Sequence, residues 1–86
     1  MLFDKKEWSD LVMIAEMELV TRMLLCEYCN LFDSKGQAIT KPKVLARTVG
    51  VTEKDVRKHL TLAKNAGWLE TIDIDGHKGY RATVPV

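Results

Sequence analysis

The residues best placed to do chemistry are the cations between residues 54 and 64. Lys54, Arg57, Lys58 and Lys64 are interspersed with the hydroxyl of Thr61, and at a helical repeat these side chains share one face. An arginine fork matches two acceptors at once, whereas a lysine ammonium acts as a point charge. The stripe therefore predicts binding to a partner that offers both negative charge and hydrogen-bonding edges.

The positive charge of the chain is concentrated around this stripe. The net charge is only +1, but residues 41–66 hold seven Lys/Arg against two Asp/Glu. Residues 1–36 hold four against seven, and residues 67–86 hold two against three. A local net of +5 indicates a polyanionic partner. The alternative is an ordinary solvated face of two surface helices.

Other reactive side chains form no recognisable catalytic or metal-binding pattern. Cys26 and Cys29 are one helical turn apart, and a structural zinc site would need about four ligands, so we interpret them as buried apolar residues. His59 is interpreted as a packing residue, and the acidic residues of the N-terminal third are scattered. We therefore predict no enzyme activity, no metal and no cofactor. Two cysteines, no signal peptide and no long apolar run predict a cytoplasmic protein without a membrane segment.

Two short helices joined by a tight turn are predicted to position the cationic stripe. The first runs from Lys41 to about Val49, and Gly50 supplies the turn. The second is capped by Thr52 and stops at Gly67. Apolar residues turn both helices toward a shared core, namely Val44, Leu45, Val49, Val51, Val56, Leu60 and Ala63.

Phe3 to about Phe32 is predicted to form one long helix, capped by Asp4. It carries two apolar series, whereas a surface helix in a monomer normally has one. The second side must be buried within the domain or paired with another chain. Because few residues remain to cover it, we expect a homodimer through a seam made of Met13, Met17, Val20, Leu24 and Leu31.

The C-terminal residues are predicted to form a β-hairpin. Trp68 to Ile74 is strand-like, Asp75 to Gly79 is the turn, and Tyr80 to Val86 is the return strand. A turn at Asp33–Gly36 and a short extended segment at Gln37–Ile39 precede the helical pair. The 86 residues thus predict one mainly α domain with a small β-hairpin, divided into a long helix and turn (1–36), a bihelical motif (40–67) and a hairpin (68–86).

This order of elements resembles the winged helix-turn-helix family. The residues of the motif are similar to the family pattern as well, with Ala46, Gly50, Thr52 and the closing Ala-Gly-Trp-Leu of residues 66–69. The chain most resembles the domains of phage and plasmid replication initiators and of small bacterial transcriptional regulators. The resemblance implies sequence-specific binding of double-stranded DNA, as a dimer, in transcriptional regulation or replication control.

The resemblance also implies which residues meet DNA. The second helix of the motif, Thr52 to Ala66, would enter the major groove, with Arg57 on a guanine edge and lysines on phosphates. The start of the preceding helix would hold the backbone, and the hairpin, or wing, would touch the backbone or minor groove. The predicted contacts are Lys41, Lys43, Thr52, Lys54, Arg57, Lys58, Thr61, Lys64, His77, Lys78 and Arg81.

Two other functions fit the same sequence. A winged helix can serve as a protein-interaction or dimerisation module, an interpretation that the near-neutral net charge and the acidic residues Asp73 and Asp75 of the wing favour. The chain can also be the N-terminal DNA-binding domain of a longer replication initiator.

Overall fold

Four helices and three short strands follow one another in a computed structural model that describes residues 2–85. They are α1 (Lys5–Ile14), α2 (Leu19–Leu31), β1 (Gln37–Ala38), α3 (Pro42–Val49), α4 (Glu53–Asn65), β2 (Leu69–Ile74) and β3 (His77–Ala82). The strands form an antiparallel sheet in the order β1-β3-β2. The predicted mainly α fold with a C-terminal hairpin is confirmed, and this arrangement is compatible with winged-helix topology.

The prediction of one long helix from Phe3 to Phe32 is wrong. The chain leaves helical geometry after Ile14 and resumes it at Leu19. The guanidinium of Arg22 donates hydrogen bonds of 2.7 Å to the backbone carbonyls of Val12, Met13 and Ala15. These bonds satisfy carbonyls that the end of α1 leaves without helical partners. A side chain on the following helix therefore fixes the break, and no glycine or proline marks it in residues 15–18.

The break separates the five residues of the predicted dimer seam. Met13 lies on α1 and Met17 in the connection, while Val20, Leu24 and Leu31 lie on α2. Leu24 is fully buried, Met17 and Val20 pack against the core, and Met13 and Leu31 are exposed. The domain itself covers much of the second apolar side, because α2 folds back onto the rest of the chain. The basis for this seam is therefore lost, and the homodimer remains a prediction.

An aromatic cluster joins the N-terminal helices to the end of the sheet. The ring of Trp8 meets that of Phe32 at a centroid distance of 5.2 Å and that of Trp68 at 6.2 Å, both edge-on. The indole Nε1 of Trp8 also donates a 2.8 Å hydrogen bond to the carbonyl of Thr83. The predicted cap of α1 is present, since Asp4 accepts from the amide of Glu7. These contacts hold α1 against the end of α2 and against the residues that flank β2 and β3.

The predicted bihelical motif is confirmed. Gly50 ends α3 with a φ of +83°, and the Thr52 hydroxyl caps α4 by accepting from the amide of Asp55 at 3.1 Å. The last helical residue of α4 is Asn65, two residues before the predicted stop at Gly67. Val44 was predicted to face inward but is 53% exposed. Leu45 and Ala46 occupy the buried side of α3, and each helical step rotates a side chain by about 100°.

The hairpin is also confirmed, with a tighter turn than predicted. Only Asp75 and Gly76 separate the paired residues Ile74 and His77, and both have positive φ, as a two-residue hairpin turn requires. Gly79, predicted to lie in the turn, is a strand residue against β1. The return strand ends at Ala82 and not at the predicted Val86, a residue that itself lies outside the described residues. Across residues 2–85, the helices are all too short or too polar to cross a membrane.

Candidate nucleic-acid interface

The α4 helix presents one polar face and buries the other. Its exposed face carries all five residues predicted to share it, Lys54, Arg57, Lys58, Thr61 and Lys64, together with Asn65. The opposite face buries Val56, Leu60 and Ala63 against the core. Burial of these apolar side chains holds α4 rigidly while leaving its polar face accessible.

His59 provides a second anchor for α4. The imidazole is buried, and its Nδ1 lies 2.8 Å from the hydroxyl of Thr21 and 3.5 Å from a carboxylate oxygen of Glu18. Both partners belong to the start of α2 or the residue before it. The expected packing role of His59 therefore agrees with its position, and the hydrogen bond fixes the rotation of α4 about its axis.

Within the described part of the chain, the exposed cations of α4 have no ion-pair partner. The ion pairs found in residues 2–85 join Lys6 to Asp10 and Arg81 to Glu70, and neither involves an exposed cation of α3 or α4. The acidic residues of α4 are confined to its first turn, where they complement the helix dipole. The remainder of the exposed face is free to meet an external anion.

Two threonines in the predicted set already serve the helix itself. The hydroxyl of Thr52 accepts from the amide of Asp55, and that of Thr61 donates to the carbonyl of Arg57 at 2.9 Å. Thr52 keeps its donor hydrogen and one acceptor lone pair, and Thr61 keeps two acceptor lone pairs. Thr52 therefore has a structural role that holds whether or not it contacts a ligand.

The cations of the wing differ from one another. Arg81 lies opposite Glu70 in the register of β2 and β3, and the two side chains form an ion pair. Lys78 lies opposite Asp73 without such a pair, and His77 is exposed next to the turn. The three predicted wing contacts are therefore not equivalent, since Arg81 is already neutralised.

A groove of about 360 Å³ brings the two regions together. Arg57 and Thr61 of α4 line one side, and Lys78 of β3 lines the other. Lys41 and Lys43 flank Pro42, which also lines the groove. No acidic side chain is part of this lining. Three of the predicted contacts, Arg57, Thr61 and Lys78, thus line one concave surface, whereas Lys54, Lys58 and Lys64 lie along α4 outside it.

Two tyrosines of this groove were not predicted to be functional. Tyr28 of α2 and Tyr80 of β3 meet edge-on at a centroid distance of 5.7 Å, and both line the groove. Burial raises the pKa of both phenols above the usual value, and the proximity of Tyr80 adds to the effect on Tyr28. Both hydroxyls therefore stay protonated at neutral pH. Neither the spacing nor the helical pattern signals their position, since the groove forms only when α2, α4 and β3 pack.

The two cysteines occupy the environment expected of apolar residues. Cys29 is buried, Cys26 is half-buried near the thioether of Met13, and neither forms a disulfide. Burial raises the pKa of the Cys29 thiol, which disfavours the reactive thiolate. Within residues 2–85 no group of three or more His, Cys, Asp or Glu is arranged to hold a metal ion.

Comparisons with known proteins do not identify the chain. No protein-family model matches it, and neither the curated proteins nor the solved structures include a match.

Proposed function

We propose that the chain is a winged helix-turn-helix domain that binds double-stranded DNA, with α4 as the recognition helix, in transcriptional regulation or replication control. One observation carries the proposal: the cations of α4 form a continuous exposed face without ion pairs among residues 2–85, while the opposite face is buried. A phosphate backbone supplies the missing counter-charges. Base edges supply acceptors for the arginine fork.

The dimensions of α4 suit this role. Thirteen residues correspond to a length of about 20 Å, and the major groove of about 12 Å width admits a single helix. The helix is held from its inner side only, by Val56, Leu60 and His59. Its outer side can therefore enter a groove without rearrangement of the fold.

Single substitutions of Arg57 and of Lys58 distinguish sequence-specific from non-specific DNA binding. Arg57→Ala removes the candidate contact to a guanine edge, so we expect about a tenfold loss of affinity and a relaxed preference at one base position. Lys58→Ala removes a phosphate contact, so binding to all sequences should weaken alike. Selection from random duplexes, followed by affinity measurements on selected and scrambled sites, distinguishes the two effects. If both variants bound selected DNA as the wild type does, α4 would not be the recognition helix.

A homodimer on two half-sites remains part of the proposal. The predicted seam does not form one continuous interface for this dimer, since Leu24 is buried and Met13 and Leu31 are exposed on different helices. Light scattering reports the oligomeric state directly, and a palindromic selected site would support two recognition helices spaced one helical turn apart. A monomer on a non-repeated site would remove the dimer from the proposal and leave the role of α4 intact.

A protein-interaction module is the second candidate function. It is favoured by apolar side chains exposed around the α1–α2 connection, where Ile14 is 80% and Leu19 is 69% accessible. Exposed apolar patches commonly mark protein contacts. Retention on heparin at low salt discriminates between the candidates, because a module that only contacts proteins does not need the cationic face of α4.

A further inference from the structure

The groove between α4 and the wing holds a polar group that the fold does not use. Tyr28 is 1% exposed, and none of the side-chain hydrogen bonds found within residues 2–85 involves its hydroxyl. Every fully buried side-chain nitrogen and oxygen of the described residues is hydrogen-bonded. The residual exposure of Tyr28 therefore belongs to its hydroxyl, and the groove is the opening that this side chain lines.

The lining of the groove combines apolar and cationic side chains. Pro42, Leu60 and Tyr80 provide apolar walls. Arg57 and Lys78 stand on opposite sides as cations, and neither has an ion-pair partner within residues 2–85. A complementary ligand is therefore flat and apolar in its body, carries a hydrogen-bonding edge at one end and bears negative charge at the other.

We infer that this groove binds a single unpaired nucleotide, with the base edge on the Tyr28 hydroxyl and the phosphate between Arg57 and Lys78. The volume of about 360 Å³ lies at the lower end of the range of small-ligand sites, about 300–1,000 Å³. The half-buried ring of Tyr80 is the aromatic surface available for stacking, and base–aromatic stacking is insensitive to sequence. The phenol can donate or accept a hydrogen bond, so it suits the edge of any base.

This inference goes beyond duplex binding, because a paired base is stacked inside the helix and cannot enter the groove. The nucleotide can come from a single strand or from a free deoxynucleoside monophosphate, and both present the same base and phosphate. The site shares Arg57 and Lys78 with the proposed duplex surface. Tyr28 and Tyr80 belong to the groove alone, which makes the two functions experimentally separable.

The test compares ligands with and without a base on the wild-type protein. Calorimetry is carried out with the four deoxynucleoside 5′-monophosphates against deoxyribose 5-phosphate, and with a mixed-sequence single-stranded octamer against an octamer of abasic sites. We expect the base-bearing ligand to bind about tenfold more tightly in at least one of the two pairs. Tightening in the first pair identifies free nucleotides as ligands, and tightening in the second pair alone identifies single strands.

Tyr28→Phe is the decisive variant, because it removes one hydroxyl and preserves the packing of the ring. We expect about a fivefold loss of affinity for the base-bearing ligand and no change for its base-free counterpart or for duplex DNA. Arg81→Gln is the matched control, since Arg81 lies on the same strand as Lys78 but is paired with Glu70 and does not line the groove. Lys54→Gln tests duplex binding independently, because Lys54 is on α4 outside the groove.

Equal affinity for the base-bearing and base-free members of both pairs would overturn the inference. So would a folded Tyr28→Phe protein that binds the base-bearing ligand as tightly as the wild type. Failure of the duplex proposal has a different signature, namely no effect of Lys54→Gln on duplex binding while the Tyr28→Phe effect persists.

Discussion

Helix α4 and the hairpin carry cations in different electrostatic settings. On α4, residues three or four positions apart are neighbours, and Lys54, Arg57 and Lys58 are all positive and exposed. On the wing, cross-strand neighbours alternate in sign, so Arg81 meets Glu70 and Lys78 lies opposite Asp73. The number of cationic residues in a region therefore does not by itself predict how well that region binds an anion. The charge of α4 is available to a ligand, while part of the wing's charge is used within the hairpin.

This difference has an energetic consequence. Like charges at neighbouring helical positions destabilise a helix by a few tenths of a kcal/mol per pair, and the acidic residues of α4, Glu53 and Asp55, lie only in its first turn. A polyanion removes the repulsion, so binding and stability of α4 are coupled. The wing has no such repulsion to relieve, because opposite charges face each other across β2 and β3.

The largest effect is expected from displacing the wing as a whole. A Cβ at Gly79 would lie 2.3 Å from the carbonyl oxygen of Ala38, so Gly79→Ala must push β3 away from β1. We expect a loss of about 3 kcal/mol in the free energy of unfolding, measured by urea denaturation. If α4 carries duplex binding, the folded variant should still bind duplex DNA with an affinity within about threefold of the wild type.

Gly76→Ala is the matched control for this variant. Gly76 has a φ of +82°, but a methyl group added to its Cα would meet nothing within 4 Å, so only backbone strain of about 1 kcal/mol applies. A Gly79→Ala protein that lost duplex binding as severely as Arg57→Ala would show that the wing contributes as much as the helix.

A smaller effect is expected within the wing itself. Lys78→Ala removes the one groove-lining cation of the hairpin, and we expect about a threefold weaker affinity for duplex DNA at low salt. Arg81→Ala removes a cation that is already paired with Glu70, so the loss of DNA affinity should be smaller than for Lys78→Ala. Titration of both variants by fluorescence anisotropy checks the contrast. A larger loss from Arg81→Ala than from Lys78→Ala would reverse the assignment of free and neutralised charge.

The sequence predicts α4 well because its determinants are local. Thr52 caps the helix, Gly67 takes a positive φ just after its end, and the helical repeat separates the buried Val56 and Leu60 from the exposed cations. Each of these signals lies within the segment that it controls. The exposed residues of the candidate surface therefore follow from the sequence, whereas their function stays a proposal.

The N-terminal helices and the groove escape such prediction because their determinants are tertiary. The break after Ile14 depends on Arg22, whose guanidinium reaches back to three carbonyls of the preceding turn and connection. The Tyr28 hydroxyl becomes part of a concave surface only when α2 packs beside α4 and β3. The ion pair of Arg81 likewise depends on the strand register, which a displaced turn prediction does not give.

The salt dependence of duplex binding tests the central claim most directly. The affinity of the wild type is compared with that of a Lys54→Gln/Lys58→Gln variant and of a Lys5→Gln/Lys6→Gln control, which has the same net charge but is altered on α1. If both α4 lysines meet phosphates, the slope of log affinity against log salt should become shallower by about 1.8 for the α4 variant and remain unchanged for the α1 control. Equal slopes for all three proteins, or no duplex binding by the wild type at low salt, would contradict the role of α4.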